Sequence, residues 1–400
     1  MCLDYGLKQG EEEDENFLPA VDAVAISHGH LDHIGNLPYA IKKNENTKVF
    51  GTETTKRITD YQLKDILKIA ERNLKFNGNG GKKRSFSLDD VLTTMKNWEP
   101  LNYGEPVEHN GFKISLYNAG HIPGSSMIEV EHGGKRVVYT GDINYEGNFN
   151  GEMPDISRIR KDPDVLIIES TYGDEIRMPI KMREAKLVAE VKDAIKRGRN
   201  VLIPAFAIER MQKVAKLLDS VAGEFPEYKF YAVSPSYLAM KDIAYRELRL
   251  ASVEESAGLP PGYRNKKTVV LTTSGFCTGG ISKKAFQDVA GDKDYSVIIP
   301  SGFIPKNSPL RQAIDEGTVY APHRKTKTKK VKAEIKQVSL SAHSDVLGLT
   351  SIIDEICPSK TSRIILVHGE PKALNSLKTR LVMDGYSVYI PKKGEEKDLC

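Results

Sequence analysis

The chain has 400 residues, of which 40% are hydrophobic and 28% are charged, and its formal net charge is +4. This length favours two domains, and the composition is typical of a soluble globular protein. The mild positive charge permits a polyanionic partner without requiring one. The four cysteines are far apart, which argues against a disulfide framework, and no apolar stretch approaches the roughly 18 residues of a membrane span. We therefore expect a cytoplasmic protein with no membrane contact.

Short β-branched segments recur along the chain, and each ends in a polar or glycine-containing turn. In order they are VDAVAI before SHGH, KRVVYT before GDIN, DVLIIE before STYGD, NVLI before PAFA, and RIILV before HGEP. Such apolar runs are typical of strands that are buried on both faces. Helical periodicity lies between them, and two apolar helix faces stand out: Met211, Val214, Leu217, Leu218 and Val221; and Leu374, Leu377, Leu381 and Val382. The pattern predicts an α/β protein whose sheets are covered by helices.

Three polar segments are predicted to lie at the surface. Residues 9–19, QGEEEDENFLP, form an acidic connection, and residues 77–85, NGNGGKKRS, form a glycine-rich turn followed by positive charge. The strongest basic run is HRKTKTKKVK at 323–332, which is as compatible with a solvated tip or interdomain strand as with a polyanion contact.

The densest group of potential metal ligands follows the first of these strands. ISHGHLDHIG places His28, His30, Asp32 and His33 within six positions. Imidazole and carboxylate groups suit zinc, and also manganese or iron. A lone histidine is more often a core or surface residue, but four such groups in one turn favour a metal site. Their spacing can serve two neighbouring ions.

One loop cannot complete two coordination shells, and further candidate ligands appear at later turns. They are His121 in YNAGHIPGS, Asp142 in VVYTGDIN, where its carboxylate can bridge two ions, and His368 in ILVHGEP. Each of them alone has a structural alternative as a turn residue or helix cap. Together with the first cluster they supply enough ligands for two metal ions.

This order of motifs, HxHxDH, a lone histidine, TGD and a late histidine, resembles the metallo-β-lactamase fold. LDYG at the start is similar to the first motif of that fold, which implies that Asp4 orients a ligand imidazole or the bound water from outside the coordination shell. In the fold this motif follows a pair of strands, so we expect a shortened N-terminus or a misassigned start.

Three further motifs resemble the signature motifs of one branch of the fold, the β-CASP nucleases. They are IIESTYGD with Glu169, SLSAHSD with His343, and VHGE with His368. That family includes the cleavage-and-polyadenylation endonuclease, ribonuclease J and archaeal relatives. The resemblance implies a metallo-β-lactamase αββα sandwich, built from residues 1–174 and 341–400, with an α/β β-CASP domain inserted at 175–340. AFAIERMQ and TSGFCTGG are similar to stretches of that inserted domain.

The resemblance also implies a role for each candidate residue. Two zinc ions, or manganese in their place, would be held by His28, His30 and His121 and by Asp32, His33 and His368, with Asp142 between them. Two such ions supply a nucleophile and shield negative charge in phosphodiester hydrolysis. Asp32 is also a candidate to orient the attacking group. His343 is the candidate general acid, kept protonated and oriented by Glu169.

In the β-CASP family, the members that process RNA have a histidine at the position of His368. The resemblance therefore implies that the substrate is RNA. Candidate phosphate contacts are Ser341, Arg177, Arg210, Lys306 and Arg324, although each basic residue alone is more often a solvated charge. TTSGFCTGG lacks the lysine and spacing of a nucleotide-binding loop, and we interpret it as a backbone turn that can lie near RNA.

The predicted function is a zinc-dependent ribonuclease in RNA 3′-end processing, maturation or decay, acting as an endonuclease, a 5′-to-3′ exonuclease or both. A homodimer or the subunits of a processing complex are possible partners. Two alternatives remain open at this point. One is a small-molecule hydrolase of the thioesterase or lactonase type on the same metal scaffold, and the other is a non-catalytic RNA-binding subunit.

Overall fold

The computed structural model describes residues 1–7, 19–77, 86–320, 328–396 and 398. The chain forms two compact units. Unit 1 comprises Met1–Arg177 and Ala342–Cys400, and unit 2 comprises Met178–Ser341. Most of the predicted loops at 9–19 and 77–85 lie outside the described residues, as do Arg324 and its neighbours in the basic run.

The strands and helices are numbered in chain order. The strands are β1 (Cys2–Leu3), β2 (Ala23–Ala25), β3 (Lys48–Gly51), β4 (Trp98–Pro100), β5 (Val107–His109), β6 (Phe112–Asn118), β7 (Ser126–His132), β8 (Lys135–Tyr139), β9 (Val165–Glu169), β10 (Asn200–Pro204), β11 (Lys229–Val233), β12 (Val253–Ser256), β13 (Thr268–Thr272), β14 (Tyr295–Ile299), β15 (Thr318–Tyr320), β16 (Thr328–Lys330), β17 (Glu334–Gln337), β18 (Arg363–Val367) and β19 (Ser387–Tyr389). The helices are α1 (Leu31–Ile34), α2 (Leu37–Lys43), α3 (Glu53–Asn77), α4 (Leu88–Lys96), α5 (Ile180–Lys196), α6 (Arg210–Ala222), α7 (Pro235–Ala244), α8 (Gly280–Val289), α9 (Pro309–Glu316), α10 (Val346–Ile356) and α11 (Pro371–Met383). No helix of the described residues is long and apolar enough to cross a membrane.

Unit 1 contains two sheets that pack face to face. The first is parallel, with strand order β1-β2-β3-β4, and the second has the order β19-β18-β9-β8-β7-β6-β5. Ala25 and Phe50 of the first sheet pack against Leu116 and Ile128 of the second. Helices α2 and α4 cover the outer face of the first sheet, and α10 and α11 cover that of the second. This is the αββα sandwich that the sequence predicts.

The predicted strands appear where the apolar runs lie, and one helical assignment needs correction. Met211, Val214, Leu218 and Val221 are buried on α6, as their spacing indicates, and Leu217 of the same predicted face is half-buried. On α11, Leu377 and Leu381 are buried and Leu374 packs against the same core. Val382 is 51% exposed. It follows Leu381 directly, so the helical rotation carries it off the apolar face.

Unit 2 is built on one parallel sheet with strand order β12-β11-β13-β10-β14-β17. Helices α8 and α9 pack on one face, where Phe286 and Leu310 meet Val270 and Val297. Helices α5 and α6 contact β10 and β11. Because the strands are parallel, the loops that follow them gather at one edge of the sheet. The antiparallel pair β15–β16 lies outside this sheet.

Candidate metal centre

The predicted ligands of unit 1 lie at the ends of strands from both sheets. His28 and His30 follow β2, and the single turn of α1 carries Asp32 and His33. In the second sheet β6, β8, β9 and β18 run in the same direction. The residues that end or follow these strands therefore meet at one edge: His121, Asp142, Glu169 and His368.

The turn that carries Asp32 and His33 is fixed by the LDYG motif. Tyr5 N donates a hydrogen bond to the His33 carbonyl, at 2.8 Å. A Cβ atom at Gly6 would lie 1.5 Å from the Asp32 carbonyl oxygen, so only glycine permits this approach of the two backbones.

One group of ligand atoms surrounds Asp142 Oδ2. His28 Nε2 lies 3.4 Å and His121 Nε2 lies 3.6 Å from this oxygen. His30 Nδ1 lies 3.0 Å from His28 Nε2 and 3.3 Å from His121 Nε2. A tetrahedral zinc site with metal–ligand distances of about 2.0–2.1 Å separates its ligand atoms by about 3.3–3.4 Å. The observed separations therefore fit one tetrahedral metal ion.

The second group faces the other oxygen of the same carboxylate. Asp142 Oδ1 lies 3.5 Å from His33 Nε2 and 3.6 Å from His368 Nδ1. His368 Nε2 lies 3.4 Å from Asp32 Oδ2. The two oxygens of Asp142 thus face two different groups of ligands.

Two buried atoms at this centre have no hydrogen-bond partner in the described part of the chain. They are His33 Nε2 and Asp142 Oδ1. A buried polar atom without a partner is costly, and coordination to a metal ion would satisfy both of these atoms. Both atoms belong to the second group, and the residues fit a metal ion there.

Asp4 fixes the ring of His33 from the side opposite Asp142. Its Oδ2 lies 2.6 Å from His33 Nδ1 and accepts hydrogen bonds from Tyr139 Oη, at 2.8 Å, and Ser27 Oγ, at 2.7 Å. Its Oδ1 accepts from the Ser27 backbone N–H, at 2.7 Å. Because a carboxylate accepts only, Nδ1 of His33 carries a proton, and Nε2, which faces Asp142, is the ring atom available to a metal ion.

A second histidine is oriented in the same way by the backbone. His121 Nδ1 lies 2.8 Å from the Ala342 carbonyl oxygen, so it donates its proton there and turns Nε2 towards Asp142. The centre is not equally accessible on all sides: His28, His33, His121 and Asp142 are buried, whereas Asp32 and His368 are exposed. A substrate can therefore approach from the side of Asp32 and His368.

Glu169 and His343 form a close pair beside the ligands. His343 Nδ1 lies 2.9 Å from both carboxylate oxygens of Glu169, and His343 Nε2 lies 3.8 Å from Asp142 Oδ2. Glu169 also accepts the backbone N–H groups of Ile143, at 3.0 Å, and Thr171, at 3.2 Å. Both oxygens of the buried Glu169 carboxylate thus already accept hydrogen bonds within the protein.

Comparisons with known proteins agree with this geometry. Residues 3–148 match the model of the metallo-β-lactamase superfamily domain, and residues 328–391 match the Zn-dependent metallo-hydrolase RNA specificity domain. The chain is 30% identical to RNase aCSPSF2 of Saccharolobus solfataricus, across 100% of this chain and 80% of the relative. The chain belongs to the β-CASP family of metallo-β-lactamase-fold nucleases.

Other relatives lead to the same family. The Probable RNase MJ4 of Methanocaldococcus jannaschii is 29% identical, across 99% of this chain and 94% of its own length. The Endoribonuclease YSH1 of Candida albicans is 28% identical, and the match spans 96% of this chain but 46% of that protein. A crystal structure of a protein of unknown function from Enterococcus faecalis V583 shares the fold, with a TM-score of 0.57 and 12% identity over 98% of this chain and 92% of that one.

The predicted family and fold class are confirmed, and the chain is a metal-dependent ribonuclease of the β-CASP family. The three ligand groups that could hold a metal ion in the described residues support a metal cofactor: His28, His30, His121 and Asp142; Asp32, His33 and His368; and Asp142, Glu169, His343 and His368. Every residue predicted from the sequence as a metal ligand lies in one of these groups.

The residues predicted to contact RNA are placed differently from one another. Arg177, in unit 1, donates Nη2 to the His343 carbonyl, and its guanidinium carbon lies 4.1 Å from the centroid of the Tyr172 ring. Its buried Nε and Nη1 have no hydrogen-bond partner in the described chain. In unit 2, Lys306 is exposed and Ser341 is buried.

Arg210, also in unit 2, has a clear structural contact. Its side chain is buried, and Nη1 donates a hydrogen bond to the Pro300 carbonyl at 2.6 Å. Arg324 lies outside the described residues.

Three hydroxyl groups of this β-CASP centre were missed by the sequence analysis. Ser27 and Tyr139 bind the Asp4 carboxylate, and Thr171 Oγ1 lies 3.0 Å from His368 Nδ1 and 3.3 Å from His343 Nδ1. Each lies within three positions of a residue that the sequence motifs predicted: Ser27 near His28, Tyr139 near Asp142 and Thr171 near Glu169. Closeness to a predicted residue in the sequence was the one signal that could have identified these hydroxyl groups.

The pKa values show where protons reside before a metal binds. Burial lowers the pKa of His30 to about 3, and burial together with the charge of His343 lowers that of His121 well below its ordinary value. Burial also disfavours charge on His33, but the Asp142 and Asp4 carboxylates outweigh it and raise the pKa of His33 well above its ordinary value. The Asp142 carboxylate raises the pKa of His368 to about 9 against the effect of burial. Before a metal binds, protons therefore reside on His33 and His368 of the second ligand group rather than on the histidines of the first.

Proposed function

We propose that this β-CASP ribonuclease hydrolyses RNA phosphodiester bonds with two zinc ions, in RNA 3′-end processing, maturation or decay. It acts as an endonuclease, as a 5′-to-3′ exonuclease, or as both. The observation that carries the proposal is the position of Asp142, whose two oxygens face two groups of histidines while His343 lies beside them.

Three of the ligands would hold the first ion and three would hold the second. The first set is His28, His30 and His121, the second is Asp32, His33 and His368, and Asp142 would be shared by both. Glu169 is excluded from both sets because its oxygens already accept hydrogen bonds from His343 and two backbone N–H groups. In contrast, Asp142 Oδ1 and His33 Nε2 have no hydrogen-bond partner in the described residues.

Bound metal ions supply Lewis acidity and a nucleophile at neutral pH. The protein must hold the ligands still, and Asp4 does this for His33 through a bond to Nδ1. Asp32 is exposed next to His368, where it orients the attacking water molecule.

His343 acts as the general acid. Because Nδ1 is held by Glu169, Nε2 is the atom that gives a proton to the leaving sugar oxygen. Glu169 is itself fixed by the backbone N–H groups of Ile143 and Thr171, so the ring has one orientation. A thioester or lactone hydrolase would not need such a pair, and a non-catalytic RNA-binding subunit would need neither the pair nor the ligands.

RNA as the substrate is supported by the match of residues 328–391 to an RNA specificity domain and by relatives named as ribonucleases. Ser341, Arg177, Arg210, Lys306 and Arg324 are proposed contacts to its phosphates. Arg177 has the best geometry among those described, since two of its nitrogen atoms have no hydrogen-bond partner among the described residues.

The proposal has further parts. Zinc is the metal, with manganese as a substitute, and the protein acts in the cytoplasm as a homodimer or with processing-complex subunits. Unit 1 corresponds to the metallo-β-lactamase domain and unit 2 to the inserted β-CASP domain.

The test uses two RNAs of one sequence, a 5′-labelled linear form and a circular form, incubated with the zinc- or manganese-loaded protein. Cleavage of the circle shows internal cutting, whereas loss of the linear RNA alone, with mononucleotides released first, shows exonuclease action. His343→Ala should reduce the cleavage rate by about 10²–10⁴-fold with the metal content unchanged. If the loaded wild type cuts neither RNA, the proposal is wrong.

A further inference from the structure

Three phenylalanine rings meet at one edge of the sheet in unit 2. Phe206 lies in the loop 205–209 after β10, Phe276 in the loop 273–279 after β13, and Phe303 in the loop 300–308 after β14. These strands are parallel neighbours in the order β13-β10-β14, so their following loops lie side by side. We refer to Phe206, Phe276 and Phe303 as the phenylalanine platform.

The rings contact one another edge to face. The centroids of Phe206 and Phe276 are 4.8 Å apart with an interplanar angle of 89°, and those of Phe276 and Phe303 are 6.3 Å apart at 84°. A Cβ atom at Gly275 would lie 3.0 Å from the Phe206 ring, so glycine permits the close contact between the first two rings. The platform is therefore a packed group and not a chance proximity of loose side chains.

Phe303 is exposed although its loop is firmly anchored. Phe303 is 47% exposed, whereas the next residue, Ile304, is 6% exposed and packs in the core of unit 2. Gln337 Nε2 donates to the carbonyls of Ser301, at 2.7 Å, and Gly302, at 2.8 Å. Ser301 Oγ donates to the Phe303 carbonyl, at 2.9 Å. The anchored backbone therefore holds this large apolar ring at a fixed position that solvent can reach.

The charges around the platform favour an anionic occupant. The guanidinium carbon of Arg210 lies 5.6 Å from the centroid of the Phe206 ring. All three loops are described, and Lys306 is their exposed charged side chain. Their one carboxylate, that of Glu209, is buried and accepts a hydrogen bond from Tyr245 Oη, at 3.0 Å. Flat aromatic rings with a nearby cation and no exposed carboxylate suit a base attached to a phosphate chain.

We propose that the phenylalanine platform stacks an unpaired base of single-stranded RNA, with Phe303 as the outermost ring. This inference rests on the proposed ribonuclease function and adds a base-binding subsite in unit 2. Stacking is tolerant of base identity because every base has a π-face, so the subsite discriminates single strands from duplex and not one sequence from another.

The test measures binding of two fluorescent oligonucleotides to the full-length, metal-loaded protein. One is a twelve-nucleotide uridine RNA, and the other is the same backbone with abasic sites throughout. All proteins also carry His343→Ala so that the RNA stays intact. Phe303→Leu, which keeps apolar bulk but removes the aromatic face, should weaken binding of the uridine RNA by about fivefold or more. Binding of the abasic strand should not change.

The matched control is Tyr320→Leu. Tyr320 is also an exposed aromatic residue of unit 2, at 48%, but it lies on β15 outside the three loops. This variant should bind both probes like its parent. Melting temperature and metal content of each variant verify that it is folded.

A second readout does not depend on removing the ring. Phe303→Trp adds an exposed tryptophan to a chain whose one natural tryptophan, Trp98, is buried. Its fluorescence should be quenched by the uridine RNA and not by the abasic strand. Equal binding of the uridine RNA by parent and Phe303→Leu, equal losses for both probes, or no quenching would each overturn the platform. Failure of the wild type to cut RNA would instead count against the ribonuclease proposal.

Discussion

The two units use the same structural device for different chemistry. In each, side chains gather on loops at the carboxyl ends of parallel strands. In unit 1 these loops carry imidazoles and carboxylates that are mostly buried, and Asp142 lies at their centre. In unit 2 the three loops of the phenylalanine platform, all of which are described, carry aromatic rings, of which Phe303 is exposed, and no exposed carboxylate. In both units strand direction decides where the side chains gather, and the loop residues decide whether they suit a cation or, as proposed for unit 2, a flat base.

The largest effect is expected from Asp142→Asn. The amide cannot supply two anionic oxygens, so both ligand groups lose their shared member and the cationic rings lose their counter-charge. We expect RNA cleavage to fall below detection and the metal content, measured by plasma mass spectrometry, to fall with it. RNA binding through unit 2 should persist. Full metal content in this variant would break the assignment of Asp142 as the bridge.

A smaller loss is expected from Asp4→Asn, because His33 is the metal ligand that the Asp4 carboxylate contacts directly. An amide can present its NH₂ group to Nδ1 and so favour the wrong tautomer of the ring. Zinc affinity or the cleavage rate should fall by about 10–100-fold. The control is Asp22→Asn, an exposed carboxylate of the same unit, which should behave like the wild type. Equal behaviour of the two variants would remove Asp4 from the centre.

The pH dependence of metal binding is a third test. His368, with a pKa of about 9 before metal binds, is protonated at neutral pH and must lose its proton to act as a ligand. Zinc affinity should therefore rise with pH from 6.5 to 8.5, by about tenfold per pH unit for each proton displaced. Competition with a chelator of known affinity measures this. An affinity that does not change over this range would contradict the assignment of His368.

The smallest effect is expected in unit 2, from Gly275→Ala. The added methyl group would press on the Phe206 ring at 3.0 Å and disturb the phenylalanine platform. We expect the KM for single-stranded RNA to rise by about two- to fivefold, with kcat and metal content unchanged. Steady-state kinetics distinguish this from a defect of the metal centre. A fall in kcat without a change in KM would contradict the separation of the two sites.

The ligand residues could be predicted because the chemistry limits the choice of residue. Four metal-binding groups within His28–His33 are improbable without a metal, and the remaining ligands end apolar runs that are recognisable as strands. Asp4, Glu169 and His343 were found through motif resemblance, since an isolated carboxylate or histidine carries no such signal.

Other features could not be predicted from the sequence. Ser27, Tyr139 and Thr171 are common residue types, and only the fold brings their hydroxyl groups to the centre. The phenylalanine platform joins loops that are about 30 and 70 residues apart in the chain. They are neighbours only because of the strand order in the sheet, which the sequence does not reveal.

The most direct test of the central claim is a zinc-soaked crystal measured at the zinc absorption edge. The account predicts two anomalous peaks in unit 1, one on each side of the Asp142 carboxylate. The first should lie nearest to His28, His30 and His121, and the second nearest to Asp32, His33 and His368. A single peak, or peaks away from these residues, would contradict the two-metal ribonuclease.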